Sequence, residues 1–213
     1  MLSKKQRKIA RIASCTAISD TVRLAEELHA GLDAGLSINE IKEIFIQLCL
    51  YCGYPRGLRA IDIFIEVLDN RKIKGIRDET GKAPSPVNSV LSKYERGEQV
   101  QLVVIGWTKE ELRSGAMRFI PKIDMQLKEY IFADVYDSDV LNYADREIAT
   151  VSAQLSMDGI EPQIRAHINA AFNVGVTESQ LRDIISIIEL EFGTEKGIRG
   201  RDLLSEVLSK RTK

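Results

Sequence analysis

Histidine and cysteine are scarce in this sequence, which limits the metal and disulfide chemistry that it can support. Among 213 residues there are two histidines and three cysteines. Two histidines exclude a three-histidine metal centre within one chain, and neither an HExxH motif nor paired CxxC motifs occur. Three cysteines are too few, and odd in number, for a disulfide framework. The count favours free thiols in a reducing compartment. We therefore expect no bound metal and a cytoplasmic location.

Long apolar runs, an excess of either charge and glycine-rich phosphate loops are also absent. Thirty Lys and Arg residues against 31 Asp and Glu leave a formal charge of -1, so no basic surplus is available for nucleic acid. No apolar run approaches the ~18 residues of a membrane span, and the basic N-terminus lacks the apolar region of a secretory signal. Neither GxxxxGK[ST] nor GxGxxG occurs. These absences predict no nucleic-acid partner, no membrane span and no nucleotide or other cofactor.

A repeat at a spacing of 140 residues lies within an otherwise ordinary globular composition, 44% apolar and 29% charged. Residues 35–72 and 175–212 share eleven identities in 38 positions. Unrelated sequences of average composition would share roughly two. We interpret the match as a duplication. The identical pairs are Gly35 and Gly175, Ile44 and Ile184, Leu50 and Leu190, Gly53 and Gly193, Gly57 and Gly197, Arg59 and Arg199, Asp62 and Asp202, Glu66 and Glu206, Val67 and Val207, Leu68 and Leu208, and Arg71 and Arg211.

Each copy is predicted to form four helices. Ser37 and Thr177 begin matching capping boxes, and apolar residues follow at the i, i+3, i+4, i+7 spacing of an amphipathic helix. Gly53 and Gly193 are placed to end these two helices. The pattern predicts an all-α fold of two homologous helical units. The expected helices span about 4–16, 20–33, 38–52 and 55–72 in the first copy, and 142–156, 161–173, 178–191 and 194–211 in the second.

The segment between the copies has a weaker pattern. Glycine and proline among charged residues predict a linker over 74–98, and Thr108 begins another capped helix. Residues 101–105 resemble a short strand without a partner, and 120–136 are expected to form one more helix. The predicted divisions are a first unit over 1–73, a linker with a capped helix over 74–118, and a second unit over 119–213.

His167 and Glu147 are the candidate acid–base residues. His167 lies beside apolar residues at helical spacing, where a desolvated imidazole could titrate near neutrality. The alternative is a structural histidine whose nitrogens are satisfied in a partly buried position. Glu147 either faces the core or forms a surface salt bridge with the neighbouring Arg146.

Cys49 and Cys52 form the one closely spaced thiol pair. Their i, i+3 spacing places both sulfurs on one helix face, which makes dithiol redox chemistry conceivable. Their position at a helix C-terminus disfavours a thiolate, because the helix dipole is negative there. The alternative is that two small side chains allow close packing.

Two stretches resemble the carboxymuconolactone decarboxylase family. Residues 30–68 are similar to its G-T-xx-EI and Y-x-G-P pattern, and the second copy is similar to its opening RE, H and G-T pattern. The resemblance implies an all-helical alkylhydroperoxidase-D-like fold, assembled as homo-trimers or hexamers. It also implies either cofactor-free decarboxylation of lactone acids or thiol peroxidase activity. The chain thus resembles a tandem, two-domain member.

Carried onto the second copy, the resemblance places the glutamate and histidine of the family at Glu147 and His167. The peroxidase pattern would require cysteines at Ile160 and Gln163, so its redox relay is not reproduced. In the first copy, Lys8 stands where Glu147 aligns and Glu27 where His167 aligns. These differences favour a lyase, specifically a carboxy-lyase, over an antioxidant oxidoreductase.

The leading hypothesis is a cofactor-free enzyme acting on a carboxylated lactone or related oxo-acid by decarboxylation or proton transfer. His167 would transfer the proton, and Glu147 would set the orientation or the pKa of the imidazole. Arg56 and Arg59 are candidate substrate-binding residues, because a guanidinium suits a carboxylate. Tyr51 is the third candidate for substrate binding. Two alternatives stay open: a thiol peroxidase or disulfide reductase using Cys49 and Cys52, and a non-catalytic binding or assembly protein.

Overall fold

A computed structural model describes residues 1–211, and all the regular secondary structure among these residues is helical, with no strand. The last two residues of the predicted second unit, 212 and 213, lie outside the described part. In chain order the helices are α1 (Lys4–Ile18), α2 (Thr21–Asp33), α3 (Ile38–Tyr51), α4 (Tyr54–Ile73), α5 (Lys93–Ile105), α6 (Lys109–Leu112), α7 (Gly115–Phe119), α8 (Pro121–Gln126), a π-helix (Leu127–Tyr136), α9 (Tyr143–Ser156), α10 (Glu161–Asn173), α11 (Glu178–Glu191) and α12 (Thr194–Arg211). The predicted all-α class is confirmed.

Local capping signals determine where several helices begin. Ser37 Oγ accepts a hydrogen bond from the amide of Glu40 at 3.2 Å, and the Glu40 carboxylate accepts one from the amide of Ser37 at 2.7 Å. Thr177 and Gln180 form the same reciprocal box at the start of α11. Each box satisfies backbone donors that the first helical turn leaves free. Gly53, just beyond α3, has a positive φ of 86°, which suits a helix-terminating glycine.

The four helices before the linker and the four at the C-terminal end start at a nearly constant spacing. α1 and α9 start 139 residues apart, and each of the next three pairs starts 140 apart. The predicted helix bounds agree with the observed ones to within two residues. The duplication itself, and the division into two units, stay predictions.

Three expectations for the central segment are wrong. Residues 101–105 form the last part of helix α5, not a strand, and the linker ends at residue 92, where Ser92 caps that helix. Residues 120–136 form two successive elements, α8 and a π-helix, in place of one α-helix. The side chains of Val100 and Val104, four residues apart, pack with Phe132 and Tyr136 in a second apolar cluster. Tertiary packing of one helix face thus outweighs the β preference of the adjacent valines, Val103 and Val104.

Helix α9 passes through the centre of the molecule. Every residue from Arg146 to Ser156 is buried, and α9 packs against α1, α3, α10, α11 and α12. The main apolar core combines side chains from both ends of the chain around it. Because α9 has no solvent-exposed face over this stretch, each of its polar side chains needs a hydrogen-bond partner other than bulk water. No helix in the described residues is long and apolar enough to cross a membrane.

Candidate active site

A cavity of about 400 Å³ opens between the C-terminal end of α3, helices α5, α6, α7, α9 and α10, and the π-helix. Most of its wall is apolar, and none of the residues that line it is Asp, Glu, Lys or Arg. Besides the Trp107 indole, the side chains with polar groups at its wall are His167, Tyr51 and three glutamines. This combination of apolar walls and a few polar groups is typical of small-molecule sites. Within residues 1–211 no group of three or more His, Cys, Asp or Glu side chains could hold a metal.

Helix α5 is held against α10 at the edge of this cavity. The side-chain amide of Asn173, the last residue of α10, donates to the carbonyl oxygens of Ile105 at 2.8 Å and Val104 at 3.3 Å. These are C-terminal carbonyls that the helix itself leaves unpaired. Gly106 ends α5 in a left-handed conformation, φ 74°, and a β-carbon there would collide with the Asn173 side chain. The contact fixes the position of α5 next to His167.

His167 and Glu147 form a hydrogen-bonded pair at the cavity wall. His167 Nδ1 lies 2.9 Å from Glu147 Oε2, and the two side chains come from α10 and α9. The Glu147 side chain is completely buried, whereas that of His167 is 12% exposed and lines the cavity. None of the described residues hydrogen-bonds the other ring nitrogen, Nε2. The imidazole is therefore oriented on one side by a carboxylate and free on the other.

Two tyrosines extend this pair into a short network. The Tyr136 hydroxyl donates to Glu147 Oε1 at 2.7 Å, and the Tyr51 hydroxyl lies 3.3 Å from that of Tyr136. The Tyr51 ring meets the His167 ring edge to face, with centroids 5.2 Å apart. Burial and the nearby Glu147 carboxylate raise the pKa of both tyrosines above the ordinary value. Both phenols consequently stay protonated and able to donate at neutral pH.

Arg146, next to Glu147 in sequence, binds a different carboxylate. Its guanidinium donates to Glu43 at 2.7 Å and to the carbonyl oxygen of Ser138 at 3.1 Å. The alternative of a surface salt bridge between Glu147 and Arg146 is wrong, because Glu147 is buried and faces His167. Because Arg146 pairs with Glu43, the hydrogen bonds of the Glu147 carboxylate are made with His167 and Tyr136.

The structure does not bring the candidate arginines to the cavity. Arg56 donates to the carbonyl oxygen of Cys52 at 3.2 Å, and Arg59 lies on the surface with its guanidinium 3.8 Å from Glu66. Both lie on α4, which contributes no residue to the cavity wall, so their expected contact with a substrate carboxylate has no support here. Tyr51, in contrast, does line the cavity.

The two closely spaced thiols are free and buried, and neither lines the cavity. Burial raises the pKa of Cys52 to about 12 and also raises that of Cys49. Thiols of this kind are poor nucleophiles at neutral pH, since the thiolate is the reactive form. Gly57 packs so closely on Cys49 that a β-carbon would collide with the sulfur. The alternative of two small side chains allowing close packing fits this contact.

The first half of the chain has an ion pair where the second half has the candidate acid–base pair. Lys8 Nζ lies 2.8 Å from the Glu27 carboxylate. These are the residues that align with Glu147 and His167. A lysine–glutamate pair of this kind offers no imidazole, so among residues 1–211 the aligned position in the first half has no counterpart of the His167–Glu147 pair.

Sequence reasoning missed Tyr136, Gln154 at the cavity wall, and Thr150, whose hydroxyl lies 3.2 Å from that of Tyr136. A signal was present on α9, where Glu147, Thr150 and Gln154 follow one another at i, i+3 and i+7 and therefore share one helix face. Tyr136 gave no such signal, because it belongs to a π-helix and reaches Glu147 across the following turn.

The fold and the site together describe an all-α protein with a histidine–carboxylate pair on the wall of a ligand-sized apolar cavity. Comparison with family models matches residues 121–205 to the carboxymuconolactone decarboxylase family. The matched segment contains Glu147 and His167 and runs from α8 into α12. It does not reach the first half, so the resemblance of residues 30–68 and the tandem arrangement stay predictions. A search of curated proteins gives no match.

Proposed function

We propose that the chain is a cofactor-free enzyme that moves a proton to or from carbon beside the carbonyl group of a small, largely apolar substrate. The observation that carries this proposal is the 2.9 Å contact between His167 Nδ1 and the buried Glu147 carboxylate at the wall of an apolar cavity. The family match over residues 121–205 supports acid–base chemistry on a lactone or oxo-acid.

The pair gives His167 the features of a general base that becomes a general acid. With Nδ1 donating to Glu147, the lone pair of Nε2 is free to accept a proton from carbon. The resulting imidazolium is stabilised by the Glu147 carboxylate and can return the proton to another atom. Glu147 is thus a positioning residue, and Tyr136 in turn holds its second oxygen.

Decarboxylation and isomerisation share this step. In decarboxylation, the carbonyl accepts the electron pair left by departing CO₂, and His167, protonated beforehand by solvent, donates that proton to carbon. In isomerisation, His167 first removes a proton and later returns it elsewhere. The proposal therefore rests on proton transfer, and the carboxy-lyase reaction is the narrower hypothesis within it.

Turnover of a panel of lactones and oxo-acids by wild type and His167→Gln tests the proposal. General acid–base catalysis by one group contributes roughly 10²- to 10⁴-fold, so the variant should lose about that much activity. The matched control is His29→Gln, which removes the other histidine, on α2, and should leave turnover unchanged. Equal rates for wild type and His167→Gln would refute the assignment. Ligand binding without turnover in wild type would favour the non-catalytic alternative.

A further inference from the structure

Two of the three glutamine side chains at the cavity are buried and have no hydrogen-bond partner. Gln101 on α5 and Gln154 on α9 are only 5% and 3% exposed, and both line the cavity. The Oε1 atom of each is fully buried without a partner. Within residues 1–211 neither amide makes any hydrogen bond. Buried amides are nearly always paired, so two unpaired ones at a single cavity need an explanation.

A third buried glutamine, Gln47, has hydrogen-bond partners inside the protein and serves as the comparison. Gln47 donates to the carbonyl oxygen of Arg146 at 2.8 Å and to the Thr150 hydroxyl at 2.7 Å, and its oxygen accepts from the Arg146 guanidinium at 3.3 Å. It does not line the cavity. Gln101 and Gln154 differ from it in both respects. Their NH₂ groups have no acceptor among the described residues and are free to donate to a ligand that fills the cavity.

The charge of the cavity limits what that ligand can be. A carboxylate bound there would face no Lys or Arg side chain, and the charge of a protonated His167 is already balanced by Glu147. A buried anion without a counter-charge of its own is strongly disfavoured. An uncharged carbonyl oxygen needs only N–H donors. In both amides the covered, unpaired atom is the oxygen, so the NH₂ end is the part left accessible.

We propose that Gln101 and Gln154 bind the carbonyl of an uncharged lactone, ester or ketone, and that such compounds, not carboxylated ones, are the substrates. This inference rests on the proposed function and names its substrate class. His167 Nε2 takes a proton from the carbon next to the carbonyl, the C–H electron pair forms a C=C bond, and the carbonyl oxygen becomes an enolate oxygen. Amide N–H groups aimed at that oxygen stabilise the developing charge. The imidazolium then returns the proton to carbon.

Binding can be followed without catalysis, because Trp107 is the single tryptophan and lines the cavity. The probes are γ-nonalactone, which is uncharged, and 4-oxononanoate, which has the same number of carbons and a carboxylate. Wild type should show a saturable fluorescence change with the lactone and at least tenfold weaker binding of 4-oxononanoate. Equal or tighter binding of 4-oxononanoate, or no binding of the lactone, would overturn the inference.

The variants are Gln101→Met and Gln154→Met, since methionine keeps the length of the side chain and removes its hydrogen bonds. Each should weaken lactone binding about five- to tenfold, the value of one hydrogen bond. Gln99→Met, on the exposed face of α5, should bind as wild type does. Unchanged lactone affinity in both cavity variants would overturn the inference.

Thermal unfolding separates a ligand-binding role from a structural one. Because the two cavity amides are unpaired, replacing either with methionine should leave the melting temperature unchanged or raise it. Gln47→Met, which removes three internal hydrogen bonds, should lower it. A fall for the cavity variants as large as that for Gln47→Met would indicate a structural role and contradict the inference. His167→Gln should still bind γ-nonalactone, so a failure of proton transfer can be told apart from a failure of binding.

Discussion

At the scale of single residues, the site depends on how one buried carboxylate is shared. Glu147 accepts a hydrogen bond from Tyr136 on one oxygen and faces His167 on the other. Its sequence neighbour Arg146 is occupied by Glu43. The sequence indicated His167 and Glu147 as partners because the family resemblance places both. It could not indicate Tyr136, whose contact depends on a turn that joins two helices.

Removing the Tyr136 hydroxyl should affect both stability and the histidine. In Tyr136→Phe, Glu147 Oε1 loses its donor inside the protein, and we expect the free energy of unfolding to fall by about 1–3 kcal/mol, measured in urea. The carboxylate would also be less well oriented, so nitrogen NMR of the His167 ring should show a smaller fraction of the Nδ1–H tautomer. Tyr130→Phe is the control, because its hydroxyl lies on the surface, 3.5 Å from that of Tyr54. Equal stability and equal tautomer populations in the two variants would contradict this role.

At the scale of helices, capping and periodicity predicted the elements that local sequence controls. The boxes at Ser37 and Thr177 form as expected because their partners lie three residues away. Over the residues of α5 the sequence predicts the end of a linker and a strand, because Gly97 disfavours a helix and the adjacent Val103 and Val104 favour a strand. Packing against the π-helix reverses that preference, and no local pattern reports such a contact.

Gly97 allows α5 and the π-helix to approach each other closely. A β-carbon at Gly97 would collide with the backbone carbonyl of Lys128. In an exposed helix, alanine would be favoured over glycine by about 1 kcal/mol. Here the steric conflict is with backbone and should outweigh that gain, so Gly97→Ala should destabilise the protein by about 1–3 kcal/mol in urea unfolding. Gln99→Ala, two residues along on the exposed face, is the control and should change stability by less than about 0.5 kcal/mol. A Gly97→Ala variant at least as stable as wild type would show that the contact is not required.

At the scale of the whole molecule, the cavity is assembled from segments far apart in the sequence. Its wall draws on α3, on the central short helices and on α9 and α10. The sequence predicted the four helices at each end and the acid–base pair, but not the apolar cavity or its two buried, unpaired glutamines, because these arise only when the segments meet. Assembly into trimers or hexamers stays a prediction of the resemblance.

The stability of the whole fold should decrease at alkaline pH. Burial raises the pKa of both Cys15 and Cys52 to about 12, from an ordinary value of 9.0. The unfolded chain therefore loses these protons first, so their stabilising contribution is complete below about pH 9 and is lost as the pH rises towards 12. The free energy of unfolding, measured in urea between pH 8 and 11, should fall. A Cys15→Ala, Cys52→Ala double variant should show a smaller fall, and the same fall in both proteins would contradict the explanation.

Proton transfer by His167 to an uncharged lactone is the central claim, and isomerisation in D₂O measures it most directly. The substrate is the enol lactone 5-pentyl-2(3H)-furanone, and proton NMR follows its conversion to the conjugated 5-pentyl-2(5H)-furanone. Wild type should catalyse this conversion and place solvent deuterium on the ring. His167→Gln should be slower by roughly 10²-fold or more, as expected for the loss of a general acid–base group. Equal conversion and deuterium incorporation by wild type and His167→Gln would contradict the account.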